Sequence, residues 1–424
     1  MTSPKLMKIW YASSMQQLKN NYLRMKYILR FKSMQKSSFC KAMILTLLFT
    51  VAFTEAGFSK SKDITQFIYT SDLHYGISRT FRGAEKVPAN VVNEAMISQI
   101  NTLPTVVFPD DEGVKDEKQV GNIDYFIITG DITNRQQTGI QSATESWAQF
   151  SADYLNGGVT LKNKENKKVP FLLTCGNHDV SNAIGYPKPM SPLTDATSMV
   201  NIYNMMLSPA TPKTNETYNF KTDKINYTKD IAGVHFMFVT MWPDSANRVW
   251  MEKDLANVSP TTPVIIFTHD EPECEAKHFI NPNGNHDINS TDNFENLLGE
   301  TLKDGATTKS GTAIEQRGFA SFIKAHKNIK AYFHGNTNSN EFRSYTGPDK
   351  DISLPIFRVD SPMKGDISGL GAKDCRGGDE TKLSFQVISL NGEKQKLTVR
   401  ECLWNTAGAS SPIVWGASST ISLK

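Results

Sequence analysis

The stretch VPFLLTCGNHD, residues 169–179, is the most informative part of this 424-residue chain. Its first six residues form an apolar run typical of a buried strand, and the run leads directly into Gly176-Asn177-His178-Asp179. Open sheets of strands and helices hold their ligands at the carboxyl ends of their strands. The stretch therefore predicts that these polar side chains form part of a site at one edge of a sheet.

Three other apolar runs end in the same way. Residues 65–70 precede Asp72-Leu73-His74, residues 123–129 precede Gly130-Asp131, and residues 264–268 precede His269. Taken singly, Asp131 could cap a helix, His74 could lie in a turn and Asn177 could form an Asx turn. Four such strand ends in succession favour one shared site, of the kind found in two-metal hydrolases.

In these segments the chain resembles the calcineurin-like metallophosphoesterase superfamily, over about residues 67–338. The resemblance implies an α/β fold in which two β-sheets pack as a sandwich flanked by helices. It implies that loops at the strand ends hold two divalent or trivalent ions of manganese, iron or zinc, about 3.5–4 Å apart. The expected substrate is a phosphoester.

The same resemblance implies a role for each polar residue of the four segments. The five expected ligands are Asp72 and His74 for one metal ion, Asn177 and His269 for the other, and Asp131 as the bridge between them. His178 would be the acid that faces the leaving group. Either Asp179 or Asp72 could orient the His178 imidazole.

These residue types suit the chemistry without reference to a family. A carboxylate is the ligand best able to bridge two cations, while neutral imidazoles and an amide oxygen complete the shells. Water between two such ions loses a proton near neutral pH, so hydroxide can attack phosphorus directly, without a covalent enzyme intermediate. The metal ions stabilise the charge of the transferring phosphoryl group, and a positioned His protonates the departing oxygen.

The chain departs from the family at the last core strand, where residues 331–333 precede His334-Gly335-Asn336-Thr337-Asn338. The family usually carries Gly-His-x-His here, so amides replace both expected imidazoles. Asn336 and Asn338 could ligate through oxygen and shift metal preference toward harder ions such as Mn2+, or they could serve only as turn formers. His334 could supply the missing nitrogen.

A second departure is Asn134, which stands where the purple acid phosphatase branch carries an iron-binding tyrosine. A tyrosinate–iron enzyme is therefore not expected. Residues 130–135 look more like the bacterial-type phosphodiesterases and broad phosphatases of the superfamily.

Charge and hydropathy separate a leader from the rest of the chain. The formal net charge is +3, but residues 1–56 hold nine Lys or Arg and one acidic residue, which leaves −5 for the remainder. No nucleic-acid surface is evident there. Within residues 1–56, basic Lys36 and Lys41, an apolar stretch at 42–53 and small residues before Gly57 predict a signal peptide and a secreted or periplasmic protein. An uncleaved, membrane-anchoring signal is the alternative, and no stable span is expected in the mature chain.

Residues 57–424 show no linker or repeat, so a single domain is predicted. Amphipathic spacing predicts helices over 90–103 and 141–155, and residues 233–240 form another expected strand, in which His235 is a core histidine rather than a ligand. From about residue 354, the segments 354–360, 383–390 and 397–403 alternate like strands that extend one of the two sheets.

Two long polar insertions, at about 181–231 and 270–311, begin directly after expected ligand segments. Long loops in compact domains are usually functional or disordered, so both are expected to wall the cleft. His278 and His286 are candidates for phosphate contact.

The sequence therefore predicts a secreted hydrolase of phosphoesters that uses two metal ions. A related protein that binds a phosphorylated ligand without turnover is one alternative, because Asn336 and Asn338 weaken the expected ligand set. A nonhydrolytic surface protein is the other, motivated by the leader and the insertions. The sequence predicts neither the substrate among monoesters, diesters, cyclic nucleotides and phospholipid head groups, nor the oligomeric state.

Overall fold

The computed structural model describes residues 64–133, 141–180, 195–220, 222–273, 313–363 and 379–424. The predicted leader, Asn134, His278 and His286 lie outside these ranges. None of the helices within these ranges is long and apolar enough to cross a membrane.

The described strands fall into two six-stranded sheets and one hairpin. In chain order they are β1 (Ile64–Thr70), β2 (Ser78–Phe81), β3 (Ala84–Pro88), β4 (Tyr125–Ile128), β5 (Phe171–Leu173), β6 (Tyr227–Ile231), β7 (Val234–Phe238), β8 (Val264–Phe267), β9 (Ile329–His334), β10 (Glu341–Tyr345), β11 (Leu354–Arg358), β12 (Ser384–Asn391), β13 (Lys396–Leu403) and β14 (Val414–Ser422). The helices are α1 (Ala89–Ile100), α2 (Ala143–Phe150), α3 (Asn177–Val180), α4 (Thr197–Leu207), α5 (Ser245–Leu255) and α6 (Ala313–Ala325).

The first sheet has the order β14-β13-β12-β1-β4-β5, and the second has the order β10-β11-β9-β8-β7-β6. β1, β4 and β5 are parallel neighbours, as are β7, β8, β9 and β11. Strands covered on both faces read as unbroken apolar runs, and β8, with the sequence VIIF, is buried at every position. Parallel pairing brings the carboxyl ends of β1, β4 and β5 to one edge of the first sheet.

Aromatic side chains fill the space between the two sheets. Phe67 of β1 lies with its ring centroid 5.3 Å from that of Phe236 in β7. The Tyr69 ring packs edge-on against Phe267 and Phe333, with centroids 5.6 and 5.5 Å away. These contacts fix the two sheets face to face as a sandwich.

Helices cover the outer face of each sheet. Val92 and Met96 of α1, with Trp147 of α2, are buried in the core outside the first sheet. Met251 of α5 and Phe319 of α6 are buried outside the second. The predicted α/β sandwich flanked by helices is confirmed.

The predicted helices and strands of the core are confirmed, with shifted ends. The 90–103 helix ends at Ile100, and a 3-10 turn follows at Leu103–Thr105. In the 141–155 segment, the Ser142 side chain accepts a hydrogen bond from Glu145 N at 3.0 Å, so α2 begins only after Ser142. Residues Ser151–Leu155 continue α2 as a π-helix.

Two predictions about the additions to the core need correction. The segment 181–231 is not a loop throughout. It contains α4, which packs on the core through buried Met199, Val200 and Ile202, and its last five residues form β6. The strands after residue 354 do not all extend one sheet: β12 and β13 extend the first, whereas β11 lies between β9 and β10 in the second.

Candidate metal centre

The polar segments that follow β1, β4, β5 and β8 converge into two groups of side chains able to hold metal ions. One group is His74, Asp131 and His178, and the other is Asp72, Asp131 and His269. Within each group the potential ligand atoms lie within 4.8 Å of one another. Asp131 belongs to both groups, which is the position that a bridging carboxylate requires.

The spacing between these atoms suits a cation better than direct pairing. His269 Nε2 lies 3.5 Å from Asp131 Oδ2, and His74 Nε2 lies 3.8 Å from the same oxygen. Such distances are too long for good hydrogen bonds. When two donor atoms each lie about 2.0–2.2 Å from the same ion, the distance between the donors is close to the distances seen here. Asn177 Oδ1 is also close, 3.0 Å from His269 Nε2.

The His269 imidazole is oriented from behind. Its Nδ1 lies 2.8 Å from the carbonyl oxygen of Thr129, which can only accept a hydrogen bond. In the neutral imidazole the proton is therefore on Nδ1, and Nε2, which faces Asp131 and Asn177, is the atom that can ligate a metal ion. Thr129 ends the strand run that leads to Asp131, so one chain segment supplies both a ligand and the support for another.

The candidate ligands sit on an unusual backbone. Asp72, His74, Asp131, Asn336 and Asn338 all have left-handed φ angles, between +47° and +63°. Non-glycine residues adopt this region at a cost of about 1–2 kcal/mol each, somewhat less for Asn and Asp. Eleven other non-glycine residues in the described part of the chain also adopt this conformation, so the strain accompanies the ligand loops without by itself identifying a site.

Glycines let the ligand loops approach closely. A Cβ added at Gly176 would meet Asp131 N and His269 Cε1, both at 2.6 Å, and would collide with Asp131 Oδ1. A Cβ at Gly335 would collide with Ser71 Oγ and Asp72 Oδ2. Both glycines belong to the sequence motifs, but only the structure shows which ligand each one allows to approach.

Gly176→Ala is expected to weaken metal binding, because the new methyl group displaces Asp131 and His269 together. Overpacking of this kind costs about 1–3 kcal/mol of stability. Thermal unfolding and metal content would measure both effects. Gly83→Ala is the control, since its left-handed backbone strains the β2–β3 turn but no atom lies within 4 Å of the new methyl. If Gly176→Ala kept full metal affinity, the close approach of the loops would not matter for the site.

Burial and mutual charge shift the titration of the central groups. Burial raises the pKa of Asp72 to about 7, with His269 opposing the rise and Asp131 adding to it. Burial also disfavours the Asp131 anion, but the imidazoles of His269, His178 and His74 hold the pKa of Asp131 well below its usual range. Burial likewise opposes the His269 cation, yet Asp131 and Asp72 raise the pKa of His269 well above its ordinary value. A metal ion bound here would supply the positive charge that these carboxylates otherwise favour on His269.

Two buried acceptors fit the same interpretation. Among the described residues, none donates a hydrogen bond to Asp72 Oδ1 or to Asn338 Oδ1, although both atoms are buried. A buried acceptor without a donor costs about 1–3 kcal/mol, and a cation would offset this cost. The oxygen and nitrogen donors present therefore fit a metal centre, as the sequence predicted.

His178 lies at the rim of the cluster. Its side chain is half-buried, and its ring packs edge-on against the His74 ring with centroids 5.1 Å apart. Its backbone N–H donates to Asp131 Oδ1 at 2.8 Å. The position allows contact with a leaving group and also places His178 near enough to Asp131 to hold an ion. Its role as the acid stays a prediction.

Asp179 ties three segments together. Its carboxylate accepts hydrogen bonds from Gly176 N at 2.9 Å, from Thr133 N at 3.1 Å and from Ser198 Oγ of α4 at 2.6 Å. Burial, reinforced by Asp131, raises the pKa of Asp179 to about 6. These contacts make Asp179 a positioning group for the ligand loops, and its predicted effect on His178 stays untested. Ser198 was not anticipated from the sequence.

The segment after β9 reaches the site through Asn336, whose backbone N–H donates to Asp72 Oδ2 at 3.0 Å. His334 is fully buried and is not a member of either group of potential ligands among the described residues. Burial lowers the pKa of His334 well below its ordinary value, with Arg358 and Arg343 adding to the effect. The structure thus brings Asn336 to the site and leaves His334 outside both groups, while ligation by Asn336, Asn338 or His334 stays a prediction.

A comparison with protein-family models identifies the family of the chain. The family model for calcineurin-like phosphoesterases matches residues 65–335, so the chain belongs to that family. No curated protein sequence matches the chain.

Two solved structures are similar at low identity. A purple acid phosphatase from yellow lupin seeds aligns with a TM-score of 0.46 and 13% identity, covering 86% of this chain and 54% of that one. A calcineurin-like phosphoesterase from Bacillus subtilis aligns with a TM-score of 0.30 and 12% identity, covering 85% of this chain and 91% of that one. The chain thus spans about half the length of the lupin structure.

Proposed function

We propose that the chain is a phosphoester hydrolase whose site holds two metal ions. The observation that carries the proposal is the position of Asp131, which is shared by two groups of potential ligands. A single carboxylate between two such groups is the arrangement by which proteins hold metal ions in pairs.

The bound ions would supply a nucleophile from water near neutral pH and offset the negative charge of the phosphoryl group. The two groups pair Asp72 with His269 and His74 with His178, but Asp72 Oδ1 also lies 3.7 Å from His74 Nε2, and Asn177 Oδ1 lies 3.0 Å from His269 Nε2. As the sequence predicted, Asp72, His74 and Asp131 would hold one ion, and Asp131, Asn177 and His269 the other. Thr129 keeps His269 in the tautomer that can ligate. His178, at the rim, would give its proton to the oxygen that leaves phosphorus.

The direct test is metal analysis of the purified full chain followed by a panel of phosphoesters. We expect about two ions per chain, hydrolysis of a generic aryl phosphate, loss of activity after chelation and recovery when Mn2+ is restored. Metal should also raise the unfolding temperature, because it binds only the folded protein; at 100 times the dissociation constant the gain is about 2.7 kcal/mol. A chain that binds fewer than two ions, or none, would contradict the proposal.

A second candidate is a protein that binds a phosphorylated ligand without turning it over. It is favoured by Asn336 and Asn338, which stand where the family usually carries imidazoles. Such a protein would bind metal and inorganic phosphate but leave every ester of the panel intact.

We also propose that the chain is exported, on the strength of the leader in residues 1–56. N-terminal sequencing of the exported protein is expected to begin near Gly57. An intact leader on protein from the cytoplasm would argue against export.

A further inference from the structure

The two amides after β9 share one arrangement. Asn336 Nδ2 donates to Glu271 Oε2 at 3.1 Å, and Asn338 Nδ2 donates to the carbonyl oxygen of Asn336 at 2.7 Å. The buried Asn338 Oδ1 receives no hydrogen bond from any described residue. In each case the amino end of the amide is held by an acceptor.

Which end is held matters, because the two ends of an amide are chemically opposite. The oxygen carries lone pairs and can ligate a cation, whereas the amino group carries only hydrogens and cannot. The two ends have nearly the same shape, so packing alone hardly selects one of them. A fixed acceptor selects the orientation, since turning the amide over would place two oxygens against each other.

Glu271 is that acceptor for Asn336. It follows His269 by two residues, and its Oε2 also accepts a hydrogen bond from Thr337 Oγ1 at 3.2 Å. The backbone N–H of Asn336 is held separately, by Asp72 Oδ2 at 3.0 Å. The main chain of Asn336 is thus held by Asp72, an expected metal ligand. Its side chain is held by Glu271, which lies two residues after His269, another expected ligand.

We propose that Glu271 is a positioning residue that orients the Asn336 amide, so that its oxygen serves the metal site in place of an imidazole. This rests on the proposed two-metal function and explains how the site could work with amides in place of histidines. Oxygen donors favour Mn2+ and Mg2+ over Zn2+, so Glu271 would also support that preference.

Glu273 provides a matched control on the same loop. Its carboxylate pairs with Arg343 Nη2 at 2.6 Å. Glu273→Ala therefore removes the same charge two residues away and leaves the contacts of Asn336 in place.

The experiment is calorimetric titration of metal-stripped full chain with Mn2+, for the unmutated protein, Glu271→Ala, Glu271→Gln, Asn336→Ala, the Glu271→Ala/Asn336→Ala double variant and Glu273→Ala. Residues that orient metal ligands typically contribute 10- to 100-fold in affinity, so we expect about that loss for Glu271→Ala. Glu271→Gln should lose less, because its side-chain oxygen still accepts from Asn336. In the Asn336→Ala background, Glu271→Ala should cost nothing further, and Glu273→Ala should bind as the unmutated chain does.

The outcomes separate the two proposals. An unmutated chain that does not bind Mn2+ would overturn the two-metal function, and this proposal with it. Normal Mn2+ binding that Glu271→Ala leaves unchanged would overturn the role of Glu271 alone. Additive losses of Mn2+ affinity in the double variant would also overturn it, because Glu271 would then act independently of Asn336. A loss of affinity in Glu271→Gln as large as in Glu271→Ala would do the same, because Glu271 would then act through its charge. Thermal unfolding of each metal-stripped variant would show which of them are folded. If Glu271→Ala does not fold, the more conservative Glu271→Gln, which keeps a side-chain acceptor, still tests the role of Glu271.

Discussion

Asp131→Asn is expected to abolish phosphoester hydrolysis and to lower the bound metal from two ions per chain to one or none. Asp131 is the only residue common to the two groups of potential ligands in the described part of the chain. Its negative charge would lie between two cations about 3.5–4 Å apart, whose repulsion the amide could not offset. The measurement is metal content by elemental analysis, alongside hydrolysis of an aryl phosphate.

Asp244→Asn is a suitable control for this prediction. Asp244 is fully buried and caps α5 by accepting a hydrogen bond from Asn247 N at 2.8 Å. Asn caps helices about as well as Asp, so this variant loses a buried carboxylate without losing the cap. It should keep both ions and full activity. Two ions per chain in Asp131→Asn would refute the assignment of Asp131 as the bridge.

The sequence predicted which side chains come together because each follows a strand that the hydrophobic pattern already reveals. Once β1, β4 and β5 are parallel neighbours, Asp72, Asp131 and Asn177 must meet at one edge of the sheet. The residues that orient the ligands carry no comparable signal. Ser198 lies 19 positions after Asp179, and Glu271 lies 65 positions before Asn336. Such pairs form only after two loops have taken their final course, which no local pattern encodes.

Because local patterns do not encode long-range contacts, two predictions about the additions to the core were wrong. The composition of residues 181–231, rich in Met, Pro, Asn and Thr, predicts a loop, yet part of this segment forms α4, in which Met199 and Ile202 are buried. β11 was expected beside the other late strands, but its pairing with β9 places it in the second sheet. Alternation identifies a strand without identifying its partner.

The sandwich supports a site that would be unfavourable by itself. Five candidate ligands have left-handed backbones, and Asp72 Oδ1 and Asn338 Oδ1 are buried without a hydrogen-bond donor among the described residues. Local preferences and the final structure usually agree, and they disagree chiefly where function requires it. Each kind of disagreement also occurs elsewhere in the described residues, but both coincide at Asp72 and Asn338, where a cation would relieve the buried oxygen.

His178→Ala is expected to keep both metal ions and to slow turnover by about 10²- to 10⁴-fold, the usual contribution of a positioned acid. Its imidazole is half-buried at the rim, beside His74, where a leaving group can reach it. The aryloxide group of an aryl phosphate departs readily without a proton. Hydrolysis of aryl phosphates should therefore slow much less than hydrolysis of alkyl phosphates. His326→Ala is the control: this imidazole pairs with Glu252 before the start of β9, at the end of that strand away from the site. Equal losses for aryl and alkyl esters would show that His178 does not protonate the leaving group, and loss of one ion would make His178 a metal ligand instead.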